Sequence, residues 1–205
     1  MAAARKLILA IDLGTSGPKA AVVDAEGAIL GTGRASVETI LLPGGGAEQD
    51  PEAVGRAVLE AGRAALAAPG LSRDVAAVSV CSQYSSIVPV DGNGKPTMNM
   101  IVWLDQRGAK AALRAMPGGE RVRDGPWKFL RWLRIHGIPP LDSGLDSLSH
   151  MRWVMLARPE VYARTKCFLE PMDFVALRLT GRAAANACSA FLMLLVDNRD
   201  LRRAR

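Results

Sequence analysis

The opening segment constrains this chain most. Leu7-Ile-Leu-Ala-Ile11 is a continuous apolar run of β type that ends at Asp12. Gly14-Thr15-Ser16-Gly17 reads as a turn, and Lys19 to Val23 resumes an apolar strand. Asp24-Ala-Glu-Gly27 then sets Asp and Gly at the ends a type I turn prefers. Ala28 to Gly33 reads as a third strand and Ala35 to Leu42 as a fourth. Strand following strand with no helix between excludes a Rossmann opening, in which the two alternate. Beyond the Pro43-Gly-Gly-Gly46 loop, Asp50 can cap a helix that has Pro51 at its first position. That helix runs through Val54, Val58 and Ala61 to a stop at Pro69-Gly70. Val75 to Cys81, Ser86 to Val90 and Met100 to Leu104 read as strands, with helices at about 106–116, 126–136, 147–157 and 171–179. The pattern predicts an α/β domain with helices packed on a mixed sheet.

The same opening segment carries chemistry. Gly14 and Gly17 let backbone N–H groups approach an anion closely, Thr15 and Ser16 offer hydroxyls, and Lys19 supplies a point charge. Asp12 repels a phosphate but can face Mg²⁺ through a water the metal retains. Read alone, the segment is equally well a polar hairpin turn. It is not a Walker A loop. Asp91-Gly-Asn-Gly-Lys95-Pro96 lacks the earlier glycine and puts proline after lysine. Gly31-Thr-Gly33 fails as a dinucleotide fingerprint, because Ser36 stands where the last glycine is needed.

Composition excludes several classes. The 205 residues are 49% hydrophobic and 22% charged, ordinary values for a globular protein. They contain no run of roughly 18 apolar residues for a membrane span and no signal-peptide core, so a cytoplasmic protein is expected. Cys81, Cys167 and Cys188 form no Cys-x-x-Cys pair and are expected to be buried free thiols. The net charge of +6 concentrates in residues 118–136, through Arg121, Arg123, Lys128, Arg131 and Arg134, and in the tail after Asp197. A nucleic-acid-binding protein should show more. The segment Pro126–His136 is expected to pack its apolar side on the domain and leave its basic side in solvent. His136 and His150 have no ligand spacing and read as structural.

Two further segments point to a small polar ligand. The strand ending at Cys81 delivers Ser82-Gln83-Tyr84-Ser85 at its C-terminal end, where α/β proteins commonly bind ligands. Ile101-Val-Trp103-Leu-Asp105-Gln-Arg107 sets a Trp beside an Asp and an Arg, a group able to stack on a sugar and hydrogen-bond its hydroxyls. Taken singly, Trp103 reads as core and Asp105 with Arg107 as a surface pair.

Together with Asp12–Ser16, Glu48-Gln-Asp-Pro-Glu52 and Leu169-Glu-Pro-Met-Asp173-Phe-Val-Ala-Leu-Arg-Leu-Thr180-Gly181, these segments make the chain resemble the FGGY family of carbohydrate kinases, its xylulokinase branch above all. The resemblance runs from about Leu7 to Leu201. It implies a ribonuclease-H-like, actin-type ATPase fold and ATP-dependent phosphoryl transfer to a sugar or polyol hydroxyl. By the same resemblance, Asp12, Gly14, Thr15, Ser16 and Lys19 face the nucleotide, with Asp12 toward Mg²⁺, and Gln83, Tyr84, Ser85, Trp103 and Asp105 shape the sugar pocket. ATP and Mg²⁺ are the implied cofactors. A small-molecule sugar or polyol is the implied partner, with no nucleic acid or membrane, and a homodimer is left open.

The chain departs from the family pattern in three places. No Gly-Gly-x-x-Asp motif for the catalytic base occurs after Lys19, so residues 1–205 are expected to be an N-terminal domain incomplete at its C-terminal end, without its second domain and inactive alone. Tyr84-Ser85 replaces the Met-His pair of xylulokinases and the Arg-Glu pair of glycerol kinases, which leaves the sugar open. Ala47 and Gly55 stand where aromatic residues usually flank the Glu-Gln-Asp-Pro helix. A non-catalytic sugar- or nucleotide-binding module of the same fold is the alternative expectation, and the tail from Asn198 reads as the start of a helix.

Overall fold

The computed structural model describes residues 6–117 and 125–200, together with the backbone of 202–203. The first half of the chain forms β1 (Leu7–Gly14), β2 (Gly17–Val23), β3 (Ile29–Arg34), β4 (Ile40–Leu42), β5 (Gly46–Gln49), α1 (Pro51–Ala65), the single turn α2 (Leu71–Asp74), β6 (Val75–Ser82), β7 (Val88–Val90) and β8 (Met100–Ile101). The second half is mostly helical: α3 (Lys110–Ala115), α4 (Pro126–His136), α5 (Ser147–Ala157), α6 (Pro159–Arg164), β9 (Cys167–Leu169), α7 (Pro171–Thr180), α8 (Ala187–Leu192), β10 (Val196–Asp197) and β11 (Arg202–Arg203).

Strands β3-β2-β1-β6 form one mixed sheet, antiparallel except where β1 runs parallel to β6. Period-2 alternation assigns its two faces. Leu7, Leu9, Ile11 and Leu13 of β1 point into the core with Ala20 and Val22 of β2, while Ile8 and Asp12 point the other way. The covered face receives α1 through Val54, Ala57, Val58, Ala61 and Ala65. Asp50 caps that helix by accepting the Glu52 N–H at 2.9 Å. The glycines of β3 make the contact close: a Cβ on Gly33 would lie 2.1 Å from the Ala61 carbonyl oxygen. Two smaller ladders, β4-β5-β8 and β7-β9, stand beside this sheet. A second apolar cluster gathers Ile87, Ile101, Leu113, Trp153, Val154 and Val161 under α5.

Several expectations are corrected. The fourth strand shrinks to Ile40–Leu42, because Ala35 and Val37 give their N–H groups to the carbonyls of Pro18 and Ser16 and so strap the first hairpin. Cys81 and Cys188 are exposed and Cys167 is half-buried, since Cys81 lies on the open face of the edge strand β6 and Cys188 in the first turn of α8. Among the described residues, helix α4 covers only part of its apolar side, with Trp132 and Ile135 half-buried. Trp127 is 82% exposed and Phe129 and Leu130 are open to solvent, while the helix is held at its C-terminal end, where Asn198 bonds the Ile135 and His136 carbonyls. Glu120, Arg121, Arg123 and Asp124 of the neighbouring basic cluster lie outside the described residues. The tail pairs as a short ladder, Val196 with Arg203 and Asp197 with Arg202, instead of starting a helix.

Candidate active site

The β1–β2 hairpin closes on two residues, Thr15 and Ser16, between the paired Gly14 and Gly17. Gly17 adopts φ +127°, and a Cβ there would lie 2.2 Å from the Ala35 carbonyl oxygen, so only glycine permits both the turn and its strap. Register then lines up one row across the open face of the sheet. Arg34 lies opposite Lys19, Lys19 opposite Asp12, and Asp12 opposite Cys81. These four side chains line an open depression of about 700 Å³ together with Thr32 and Ser79. Asp12 accepts from Cys81 Sγ at 3.6 Å, and burial, then the Asp12 charge, pushes the thiol above its ordinary range. Lys19 and Arg34 make no ion pair among the described residues, and the exposed Ser16 hydroxyl makes no hydrogen bond there.

Thr15 is committed elsewhere. Its hydroxyl accepts from Trp103 Nε1 at 3.0 Å and donates to Gln83 Oε1 at 2.8 Å. Gln83 Nε2 donates to Gln49 Oε1 at 3.2 Å, and Gln49 Nε2 returns to the Thr15 carbonyl at 2.7 Å and to Thr39 Oγ1 at 3.0 Å. Indole N–H only donates and a carbonyl only accepts, so these two ends fix every direction in the ring. Gln49 and Thr39 are site residues that the sequence reading missed. Gln49 was visible within Glu48–Glu52, but no local pattern gives it a partner 34 residues away. Trp103, expected in the core when read singly, is 40% exposed and presents ring surface beside this network. Tyr84 is 64% exposed at the same strand end. Ser85 is buried with φ +55°, a left-handed conformation costly for a residue with a Cβ.

Asp105 occupies a different place from the one its motif suggests. It is 1% exposed, and its carboxylate accepts from the Ala47 N–H at 2.8 Å and from Arg107 Nη2 at 2.6 Å. Arg107 also bonds Glu48 at 2.6 Å and lies over the Trp153 ring at 3.9 Å. Burial works against the guanidinium charge, but the hydrogen bonds from Asp105 and Glu48 outweigh it and raise the Arg107 pKa. The pair expected at the surface is thus a buried cluster. It does not join the open row at Asp12. Below it, His150 bonds the Asp105 carbonyl at 3.0 Å, and burial pushes its imidazole below the ordinary histidine range. Glu170, also buried, accepts from Ser147 Oγ at 2.6 Å, and burial raises its carboxyl to about 8.

The open row fits a magnesium-bound phosphate chain. It combines a solvent-facing carboxylate, two cations and a free hydroxyl at a glycine-flanked turn. Among the described residues, no group of three His, Cys, Asp or Glu side chains gathers to hold an ion. The donor set therefore fits a metal carried in on the phosphates, with water still bound to it.

The mixed sheet with its hairpin turn and crossing helix is the actin-like ATPase fold of sugar kinases. It superposes on the gluconate kinase of Lactobacillus acidophilus with a TM-score of 0.79 at 20% identity, over 98% of this chain and 38% of that one. Residues 7–201 match the N-terminal domain of the FGGY family of carbohydrate kinases, and the chain belongs to that family. It is 30% identical to a xylulose kinase of Streptomyces coelicolor over 192 residues, which cover 90% of this chain and 36% of that protein. It is 30% identical to a glycerol kinase of Sinorhizobium fredii over 203 residues, 93% of this chain and 39% of that protein. The chain thus spans little more than a third of the curated relatives it matches. Among the described residues, no helix is long and apolar enough to cross a membrane.

Proposed function

We propose that this chain forms the first wall of the cleft of an ATP-dependent carbohydrate kinase, which transfers a phosphoryl group to a hydroxyl of a sugar or polyol. The observation that carries the reading is the adjacency of two unlike surfaces at one turn. The Asp12–Lys19–Arg34 row lies on the strands that lead into and out of Thr15-Ser16, and the exposed Trp103 ring donates to Thr15 itself. On this reading Gly14, Ser16 and Lys19 bind the nucleotide phosphates and Asp12 faces the waters of Mg²⁺. Gln83, Tyr84, Ser85 and Trp103 shape the sugar side, and Asp105 acts there by fixing Arg107 and the Ala47 backbone. The bound nucleotide supplies the phosphoryl group. The residues named here position it and neutralise charge, which is most of what such a transfer requires. On this reading none of the residues named here is assigned the hydroxyl proton.

ADP release from Mg-ATP tests the reading across D-xylulose, L-ribulose, D-gluconate and glycerol, in the 205-residue chain and in the full-length protein. Turnover by the full-length protein alone is expected, and the responding compound names the substrate. A second reading, a binding module without turnover, draws on Tyr84-Ser85 in place of the family's hydrogen-bonding pairs. Sugar binding with no ADP release by the full-length protein would establish it.

A further inference from the structure

We infer that Glu170 is a positioning residue for the sugar side of the cleft, where it holds the loop 82–86 that carries Gln83 and Tyr84. The inference rests on the sugar side assigned under the kinase reading. The loop joins β6 to β7 and takes a shape that needs outside support. Ser85 is buried in a left-handed conformation, which persists only where the surroundings enforce it. Two of the supports are hydroxyls of the loop itself. Ser82 Oγ accepts the Met172 N–H at 3.1 Å and donates to the Gln83 carbonyl at 2.9 Å, and Ser86 Oγ accepts the Trp103 N–H at 3.1 Å. The third support is Glu170.

The chain delivers Glu170 to the inner end of this loop. Strand β9 pairs antiparallel with β7, Leu169 opposite Val88, so the next residue lies at the end of the ladder where the loop enters β7. Glu170 is the N-cap of α7, yet its side chain accepts none of that helix's free N–H groups. It turns away instead. It accepts from Ser147 Oγ in the first turn of α5 at 2.6 Å, and the Ser86 backbone N–H lies close enough to favour its charged form. One carboxyl thereby ties α5 and α7 to the last residue of the loop. Glu170 is 1% exposed, its Oε2 makes no hydrogen bond among the described residues, and the charge acting on it is that of Asp173, of like sign. An acid so placed costs stability, and what it supplies is an acceptor beneath the sugar-side loop. Loss of that acceptor frees Ser86, and with it the backbone under Tyr84 and the hydroxyl that anchors Trp103. The Asp12–Lys19–Arg34 row is carried by β1–β3 on α1 and stays in place. The effect therefore falls on one ligand.

The test is steady-state kinetics of the full-length protein, with sugar affinity titrated alongside. The probe is whichever of D-xylulose, L-ribulose, D-gluconate and glycerol the wild type binds most tightly. Glu170→Met keeps the length of the side chain and removes the acceptor. It should raise KM for the sugar at least about ten-fold, with kcat within about three-fold and KM for Mg-ATP within about two-fold of wild type. Glu170→Gln keeps an acceptor oxygen and should restore the sugar KM to within about two-fold of wild type. Ser147→Ala removes one hydrogen bond and should raise the sugar KM about three-fold, which gives a second answer if Glu170→Met fails to fold. An unchanged sugar KM in Glu170→Met or Ser147→Ala overturns the inference. An equal rise for sugar and nucleotide is general loosening of the fold and overturns it too. Glu170→Gln as impaired as Glu170→Met makes the acid's proton the operative group and likewise overturns it. The kinase reading stands in all of these cases. Wild-type sugar binding without ADP release removes the kinase reading, and the same variants, read as Kd, still decide the inference. A wild type that binds none of the four compounds removes both.

Discussion

Two groups of charged residues in this molecule use the same chemistry to opposite ends. Asp105 and Glu48 are buried against a half-buried Arg107, and each carboxylate accepts from the guanidinium at 2.6 Å. Asp12, Lys19 and Arg34 sit in register across an exposed sheet face, and the two cations are unpaired among the described residues. The first group has spent its hydrogen-bonding capacity on itself and holds β5, β8 and the loop after β8 together. The second leaves the capacity of its cations unspent among the described residues. Residue type does not distinguish them, and what remains unsatisfied in each does.

Removing the cation from each group is the sharpest way to break the comparison, and the buried group should respond far more. Arg107→Met strands two buried carboxylates, one of them also holding the Ala47 N–H. Breaking one side of a buried ion pair costs about 3–5 kcal/mol, a large share of a domain's stability. Urea denaturation of the variant should show that loss. A midpoint within error of the wild type would mean that the cluster is hydrated and exchangeable, and the contrast with the open row would fail.

Glu170 extends the comparison to a buried acid whose neighbour is a serine in place of a cation. Its carboxyl titrates at about 8 in the folded chain, burial being the chief cause, against an ordinary 4.5. Between those values the folded protein holds a proton that the unfolded chain has released. Raising the pH therefore favours unfolding across that window, and the loss levels off above about 8. Glu170→Gln removes this contribution. The variant's stability relative to wild type should rise between pH 5 and 8 by a few kcal/mol. Parallel pH profiles for the two proteins would show that Glu170 is ionised in the fold.

What the sequence makes legible follows from how local each feature is. The β1–β2 hairpin is written in adjacent residues, a continuous apolar run followed by a glycine-flanked turn, and the start of α1 likewise in Asp50 before Pro51. The same holds for α4, α5 and α7, which fall within a residue or two of their expected bounds. The site is legible only in part, because its bonds join residues 34 to 88 positions apart. Thr15 and Trp103 each stand out in sequence, but that one donates to the other follows from the packing of β6 and β8 beside β1. Asp105 shows the converse. An Asp two residues from an Arg reads as a surface pair, and only the approach of Glu48 and the Ala47 N–H across 58 residues buries it. Helix α4 fails for a related reason: its amphipathic pattern says which side can be buried, and says nothing of whether the domain offers a surface to bury it.

The smallest effect on stability completes the contrast. Lys19→Met makes the same kind of change as Arg107→Met, on the open row. Lys19 is exposed and has no partner among the described residues, so its loss strands no buried group. Surface changes of this kind stay within about 0.5 kcal/mol, and the methionine chain still lies along the sheet. Mg-ATP affinity of the full-length protein should fall at least about ten-fold, the size expected for one lost hydrogen bond to a charged phosphate. The weakening should shrink as salt is raised, because the missing contribution is electrostatic and solvent-facing. If Lys19→Met binds nucleotide normally, the open row is an ordinary solvated face, and the reading of Asp12 and its neighbours as a phosphate site is lost. If it destabilises the fold as Arg107→Met does, Lys19 is engaged in the folded protein, and the distinction between spent and unspent charge does not hold for this pair.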